Sequence, residues 1–330
     1  MATKHGVLSQ DLDTVPTHKR GMITELIEQG ALADVKLKEF IRRVSNKMNN
    51  KYGEKIEIKT APLKTQDSAG RKVGIMNWND PNMDTAGEKT PYEVKDIARA
   101  TIRFSTIPQM YAVKDFIASQ PEFTRIEHFN ENNNVLKDRW AEASTGEYKD
   151  IKFFLSVPIT HNNRNIQHIV ELQLNTTSMD RGKKFGHAFY NVIRLGKGPA
   201  GSNKWEPNKK GSVIRIPANK KAEIANKLRT AIIKCKSMVG KNDEEIKWAI
   251  KVMVQFLNNK FVYDESLDSY KEGTQELSIM GGKYNWPQDS AINDAAYSWA
   301  LAKLAAYVFS CYTYYSEHQM SRPAHRMHEQ

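Results

Sequence analysis

Two short segments of this sequence place polar, potentially reactive side chains opposite apolar ones. In Tyr148 to Val157 an extended strand puts Ile151, Phe153, Leu155 and Val157 on one face and Tyr148, Asp150 and Lys152 on the other. In His168 to Thr176 the same alternation sends Val170, Leu172 and Leu174 one way and Ile169, Glu171, Gln173 and Asn175 the opposite way. One face builds a core; the other offers an aromatic ring, a cation and a carboxylate. Glu171 and Gln173 project side by side and can orient a hydroxyl, but only the carboxylate can take its proton. A half-exposed antiparallel sheet shows this alternation for structural reasons alone, so the pattern takes its meaning from its neighbours.

Several other chemistries are excluded. The glycines between Gly196 and Lys204 have phosphate-loop spacing, but Ser202 stands where the lysine is required. No histidine is followed by aspartate, and no Cys-Cys-His spacing for zinc occurs. The two cysteines, Cys235 and Cys311, are too few for a disulfide framework and read as buried thiols in a reducing compartment.

Stepwise apolar spacing predicts a helix over 19–50, carried by Ile23, Leu26, Ile27, Leu37, Phe40, Ile41, Val44 and Met48, whose role is to cover a sheet. The polar stretch from Gly74 to Pro91 reads as a loop. Strands are expected over Asp96 to Phe104, Arg125 to Phe129, Tyr148 to Val157 and His168 to Thr176, with a helix over Gln109 to Ser119. Beyond a polar, basic passage ending at Lys221, helical periodicity resumes over 222–240 and 243–259. Ala295 to Tyr315 approaches membrane-span length, but Lys303 interrupts it, so a buried helix is expected. The N-terminus is polar and charged up to Arg20, unlike a signal peptide. The expected division is 1–55 as a helical cover, 56–200 as the core and 201–330 as a helical extension. A formal net charge of +11 favours an anionic ligand such as nucleotide phosphate or RNA.

The order of motifs resembles the RelA/SpoT-type synthetase family, which makes (p)ppGpp or (p)ppApp, and especially its small toxin-like branch. Lys64, Ser68 and Lys72, at four-residue steps after Ala61-Pro62-Leu63, resemble the helix face that holds ATP phosphates. Asp96-Ile97-Ala98-Arg99 is similar to the strand whose opening aspartate binds Mg²⁺. Leu136-Lys137-Asp138-Arg139-Trp140, then Gly146-Glu147-Tyr148-Lys149-Asp150-Ile151-Lys152, resemble the basic loop and the tyrosine that stacks on the acceptor purine. Val170-Glu171-Leu172-Gln173 is similar to the family's Glu-x-Gln strand, and Met179 to Arg194, with His187 and Tyr190, resembles the helix that closes the site. Thr101 and Lys152 stand where guanosine-alarmone producers usually carry Arg and His, and Glu147 intervenes after Gly146, which leaves the acceptor open.

The resemblance implies an α+β fold with a central mixed β-sheet of nucleotidyltransferase-like type, flanking helices and a helical C-terminal extension. It implies ATP-dependent pyrophosphate transfer to a purine nucleotide, with Mg²⁺ on Asp96 and Glu171 and Gln173 beside them. Lys64, Ser68, Lys72, Arg99, Lys137, Arg139, Tyr148, Lys152, His187 and Arg194 would bind the nucleotides. Two carboxylates suit a hard dication, and fixed cations suit a reaction governed by positioning and charge. Both carboxylates are expected on an open polar face. The alternatives are transfer to the 3′ end of tRNA and an inactive nucleotide- or RNA-binding module. A toxin role in a bacterial cytosol, with an antitoxin or immunity protein as partner, follows from the same branch.

Overall fold

A computed structural model describes residues 19–52, 56–75, 78–79, 84, 90–120, 136–141, 147–195, 216, 220–260 and 294–318. Two compact units form: Met1–Glu142 with Lys149–Thr177, and Ala143–Tyr148 with Ser178–Gln330. The long first helix packs on the sheet as part of the first unit.

In the first unit, helix α1 (Lys19–Tyr52) precedes strand β1 (Glu57–Thr60) and the short helix α2 (Gln66–Gly70), which runs into a 3₁₀ turn, Arg71–Val73. A second 3₁₀ turn, Pro91–Glu93, leads to β2 (Arg99–Phe104), α3 (Ile107–Ala118), β3 (Leu136–Asp138), β4 (Ile151–His161) and β5 (Arg164–Thr176). The sheet order is β1-β2-β5-β4-β3, antiparallel except for the parallel β2–β5 pair. This is the expected mixed α+β sheet. β4 and β5 form a hairpin whose turn residues, Asn162 and Asn163, both have positive φ (49° and 61°), the backbone that a two-residue turn needs to match strand twist. The strand expected over 125–129 lies outside the described residues.

One face of the sheet is apolar: Ala100, Ile102 and Phe104 of β2, Ile151 to Ile159 at every second position of β4, and Val170, Leu172 and Leu174 of β5. Leu37, Phe40, Ile41, Val44 and Met48 of α1 and Met110, Val113 and Ile117 of α3 join that core. Each fully buried side chain of this size contributes roughly 1.5–3 kcal/mol, so the amphipathic stripe of α1 fixes the helix to the sheet. The N-terminal half of α1 packs through Ile23 and Leu26 on Ala69, Val73, Ile75, Val94 and Ile97. Arg20 forms a two-pronged ion pair with Asp84 at 2.6 and 2.8 Å, and Lys19 donates to the Val73 carbonyl at 2.9 Å, which tie this end of α1 down.

His168 of β5 is fully buried against α1, with Nδ1 3.3 Å from Gln29 Oε1 and Nε2 buried without a partner among the described residues. Burial pushes its pKa down to about 3. A base held neutral in the folded state contributes stability that is complete above its unfolded pKa of about 6.5 and is lost as pH falls from there towards 3. Unfolding free energy should therefore drop by about 1.4 kcal/mol per pH unit below pH 6, over and above the carboxylate contribution. Urea unfolding of His168→Gln between pH 4 and 7 should give a slope shallower by about one proton; equal slopes would show that His168 is charged in the fold.

In the second unit, α4 (Thr177–Leu195, which starts at the last residue of the first unit), α5 (Lys221–Met238), α6 (Glu244–Lys260) and α7 (Asp294–Glu317) are described. Leu228, Ile232, Ala249, Met253, Phe256, Leu301, Leu304 and Val308 are buried. Trp248 of α6 meets Trp299 of α7 edge-on at 4.7 Å. Lys303, which interrupts the apolar run, reaches Glu245 of α6 at 2.8 Å. No described helix is long and apolar enough to cross a membrane. Cys235 is a buried free thiol as expected, whereas Cys311 is half-buried. The basic passage before Lys220 lies almost wholly outside the described residues.

Candidate active site

The face of the sheet opposite α1 carries the polar residues, and strand register sets them in rows. Lys59 of β1 pairs with Thr101 of β2, Thr101 with Gln173 of β5, Gln173 with Lys152 of β4, and Lys152 with Lys137 of β3. One row across five strands thus reads Lys-Thr-Gln-Lys-Lys. In the adjacent row Arg99 pairs with Glu171, and Glu171 with Phe154, over whose ring Lys95 Nζ lies at 5.4 Å.

Glu171 sits in the middle of this face. Its Oε1 accepts from Gln173 Nε2 at 2.6 Å and its Oε2 faces Lys152 Nζ at 3.0 Å. At 5% exposure it is buried, which corrects the expected open polar face. Its contacts to Gln173 and Lys152 make a buried carboxylate tolerable there. Asp150, expected on the same open face, is also completely buried. Arg139 makes its main-chain bond to the Asp150 carbonyl at 2.9 Å and an ion pair to Asp150 Oδ1 at 2.5 Å, so this arginine is held by the protein.

Asp96 precedes β2 rather than opening it, because the chain bends at Ile97 and Ala98 before strand pairing begins at Arg99. The Thr90–Glu93 capping box sets its approach, with Thr90 N donating to Glu93 Oε2 at 2.8 Å. Its Oδ2 receives Lys64 Nζ at 2.5 Å and Lys72 Nζ at 2.7 Å, while Oδ1 is buried without a partner among the described residues. Arg99 Nε is likewise buried and unpartnered. Asp96 stands three residues ahead of Arg99, the first residue of β2, which is in register with Glu171 in the interior of β5.

The two lysines do not share a helix face as expected. Thr65 is the N-cap of α2, its side chain accepting from Ser68 N, so Lys64 lies before the helix and Lys72 in the 3₁₀ turn after it. They converge because Lys64 N donates to the Ile97 carbonyl at 3.0 Å, which lays the chain beside Asp96. Ile97 is itself fixed from the other side by α1: a Cβ on Gly30 would lie 2.4 Å from Ile97 Cγ2, so this close approach requires glycine.

These charges govern one another. Burial would raise the Asp96 pKa, but Lys72 and then Lys64 overcome it and hold the carboxyl far below its ordinary range. Burial lowers Lys64 to about 8; Asp96 opposes the shift, and Lys72 and Arg99 add to it. Lys64 is only 7% exposed, so its ammonium has little solvent to replace a lost partner.

Tyr148, His187 and Tyr190 belong to the second unit and form an aromatic cluster there. Tyr148 meets His187 edge-on at 6.0 Å between centroids, His187 lies 6.2 Å from Tyr190, and Lys183 Nζ stands 5.4 Å from the Tyr148 ring. Phe309 of α7 joins them, 5.1 Å from Tyr148 and 6.5 Å from His187. Arg194 falls in the last turn of α4 and its side chain lies outside the described residues.

Residues that the sequence alone did not single out are Lys59, Lys95, Phe154 and Phe309. The four residues of β1 are too few for alternation to show, and Lys95 lies in irregular backbone ahead of β2, where no period marks it.

Among the described residues no three His, Cys, Asp or Glu groups gather as a metal cage. Asp96 Oδ1 nevertheless offers a hard, orphaned oxygen beside Glu171's strand. Mg²⁺ fits such a place where phosphate oxygens and water complete its shell.

No protein-family model matches the sequence, and no curated protein matches it. Among solved structures it is similar to small alarmone synthetase 1 from Bacillus subtilis bound to its product pppGpp, at 15% identity over 64% of this chain and 90% of that one, with a TM-score of 0.36. It is similar to small alarmone synthetase 2 from the same organism at 16% identity over 66% and 97%, TM-score 0.37. A GTP pyrophosphokinase family protein from Streptococcus pneumoniae matches at 14% identity over 61% and 84%, TM-score 0.36. At such scores the likeness bears on neither the site residues nor the substrate.

Proposed function

We propose that this chain transfers the β,γ-pyrophosphate of ATP to a hydroxyl of a purine nucleotide. The observation that carries the reading is the convergence of Lys64 and Lys72 on Asp96, with Arg99 in register with Glu171 and one Asp96 oxygen without a partner among the described residues. Polyphosphate entering this place meets Lys64 and Lys72, already held by Asp96, and Lys152, held by Glu171, with Arg99 beside them, so little reorganisation is left for the reaction itself.

The acceptor hydroxyl oxygen attacks the β-phosphorus, the bond from that phosphorus to the oxygen bridging to the α-phosphate breaks, and AMP leaves. Glu171 takes the hydroxyl proton, held in place by Gln173 and Lys152. Lys64 and Lys72 exchange part of their hold on Asp96 for phosphate oxygens. Asp96 and Glu171 would hold Mg²⁺, which supplies charge neutralisation on the phosphates when bound. Tyr148 stacks on the acceptor base, an interaction worth roughly 1–3 kcal/mol per base.

The test is incubation with ATP labelled at the γ-phosphate and each candidate acceptor. Label on a free purine nucleotide, with AMP released in equal amount, is the expected result. Label on the 3′ end of tRNA would transfer the same chemistry to another acceptor, and no label on any acceptor would leave a binding module. If the product arrests growth, expression in a bacterial cytosol should be toxic and Glu171→Gln should relieve it.

The lowered pKa of Lys64 gives a second expectation. Lys64 is protonated below about pH 8 and loses its charge above it, so kcat/KM for ATP, which reports the free enzyme, should fall up to tenfold per unit above pH 8. Lys64→Arg keeps its charge at all these values and should remove the fall. An unchanged profile in that variant would assign the titration elsewhere.

A further inference from the structure

The C-terminal helix carries a residue that acts on the aromatic cluster of Tyr148. Helix α4 has glycines at 182 and 186, one turn apart on one face, and α7 has Phe309 and Tyr312 three residues apart on one face. The rings seat where the glycines leave room: a Cβ on Gly186 would lie 2.2 Å from Phe309 Cζ, and one on Gly182 would lie 2.5 Å from Tyr312 Cγ. Tyr312 also stacks on Phe185 of α4, with centroids 6.5 Å apart and planes 18° from parallel. Phe309 and Tyr312 are both buried, so α7 has one seating on α4.

Seated there, Phe309 lies 5.1 Å from the Tyr148 ring at 62° and 6.5 Å from His187 at 88°, the edge-to-face geometry that aromatic pairs favour. Tyr148 is only half-buried and stands in no helix or strand. Its ring orientation is therefore set by its neighbours, and Phe309 is one contributed by the described part of the C-terminal extension. We propose that Phe309 is a positioning residue for the acceptor: it braces Tyr148 for base stacking, which makes α7 part of the acceptor site. This rests on the role given to Tyr148 above.

The test measures acceptor KM, ATP KM and kcat for Tyr148→Ala, Phe309→Leu and the double variant. Leucine fills most of the buried volume and keeps α7 seated while removing the ring. Phe309→Leu should raise acceptor KM about two- to tenfold with ATP KM and kcat nearly unchanged. In the Tyr148→Ala background Phe309→Leu should have no further effect, because the ring it braces is gone. An equal effect of Phe309→Leu in both backgrounds, or none in the wild type while Tyr148→Ala raises acceptor KM, would overturn the inference. If Tyr148→Ala itself leaves acceptor KM unchanged, the stacking role fails first and the positioning role falls with it.

Discussion

Asp96→Asn should reduce pyrophosphate transfer by about 10³-fold or more, with the chain still folded. The carboxylate is the one anion on which Lys64 and Lys72 converge, at 2.5 and 2.7 Å. Asparagine keeps the shape and a carbonyl acceptor but not the charge. Two ammonium groups then face each other in a half-closed site, and Lys64 loses the influence that opposes its burial. Three losses coincide: a hard oxygen for a dication, the alignment of two phosphate-binding lysines, and part of the Lys64 charge. The cost in stability at pH 7 should be on the order of 3 kcal/mol, because Lys64, almost wholly covered, is left facing Lys72 without its counter-charge. Product formation with labelled ATP and a urea midpoint separate the two effects. Turnover within tenfold of the native chain would remove Asp96 from the chemistry.

Glu171→Gln should lower kcat by about 10²–10⁴-fold while ATP KM changes little, since a general base acts in the transition state rather than in ground-state binding. Burial makes this variant less innocent than its isosteric form suggests. Lys152, 3.0 Å away and itself mostly covered, loses its counter-charge, and the loss of one partner of a buried pair is costly. Glu171→Gln combined with Lys152→Met separates the two roles. The double variant should regain stability without regaining turnover. Recovery of kcat in the double variant would show that Glu171 serves the fold and not the reaction.

How much of this was legible in the sequence depended on element length. β4 and β5 run for eleven and thirteen residues, long enough for alternation to name Lys152, Glu171 and Gln173 as neighbours on one face. β1 and β3, with four and three residues, carry no readable period, and Lys59 went unnoticed with them. Position along the chain identified Lys64, Lys72 and Asp96 but not how they meet. The expected helix face and the expected strand start were both replaced by irregular backbone, and that backbone brings them together through one main-chain bond, Lys64 N to Ile97 O. Phe309 was illegible for the opposite reason. In a helix apolar nearly all round, no pattern separates the ring that touches Tyr148 from those that fill the core.

The close approach of Gly30 to Ile97 makes α1 something other than a lid on the sheet. Ile97 follows Asp96 and its own carbonyl receives Lys64 N, so its side chain is the point at which the helix holds the phosphate-facing loop at a set depth. A methyl group added at position 30 pushes on that point directly. Sequence drift along the rest of this helix can be absorbed as ordinary repacking. At this one contact a change of a single carbon is transmitted as a displacement of two opposite charges, and tolerance to substitution should fall abruptly there.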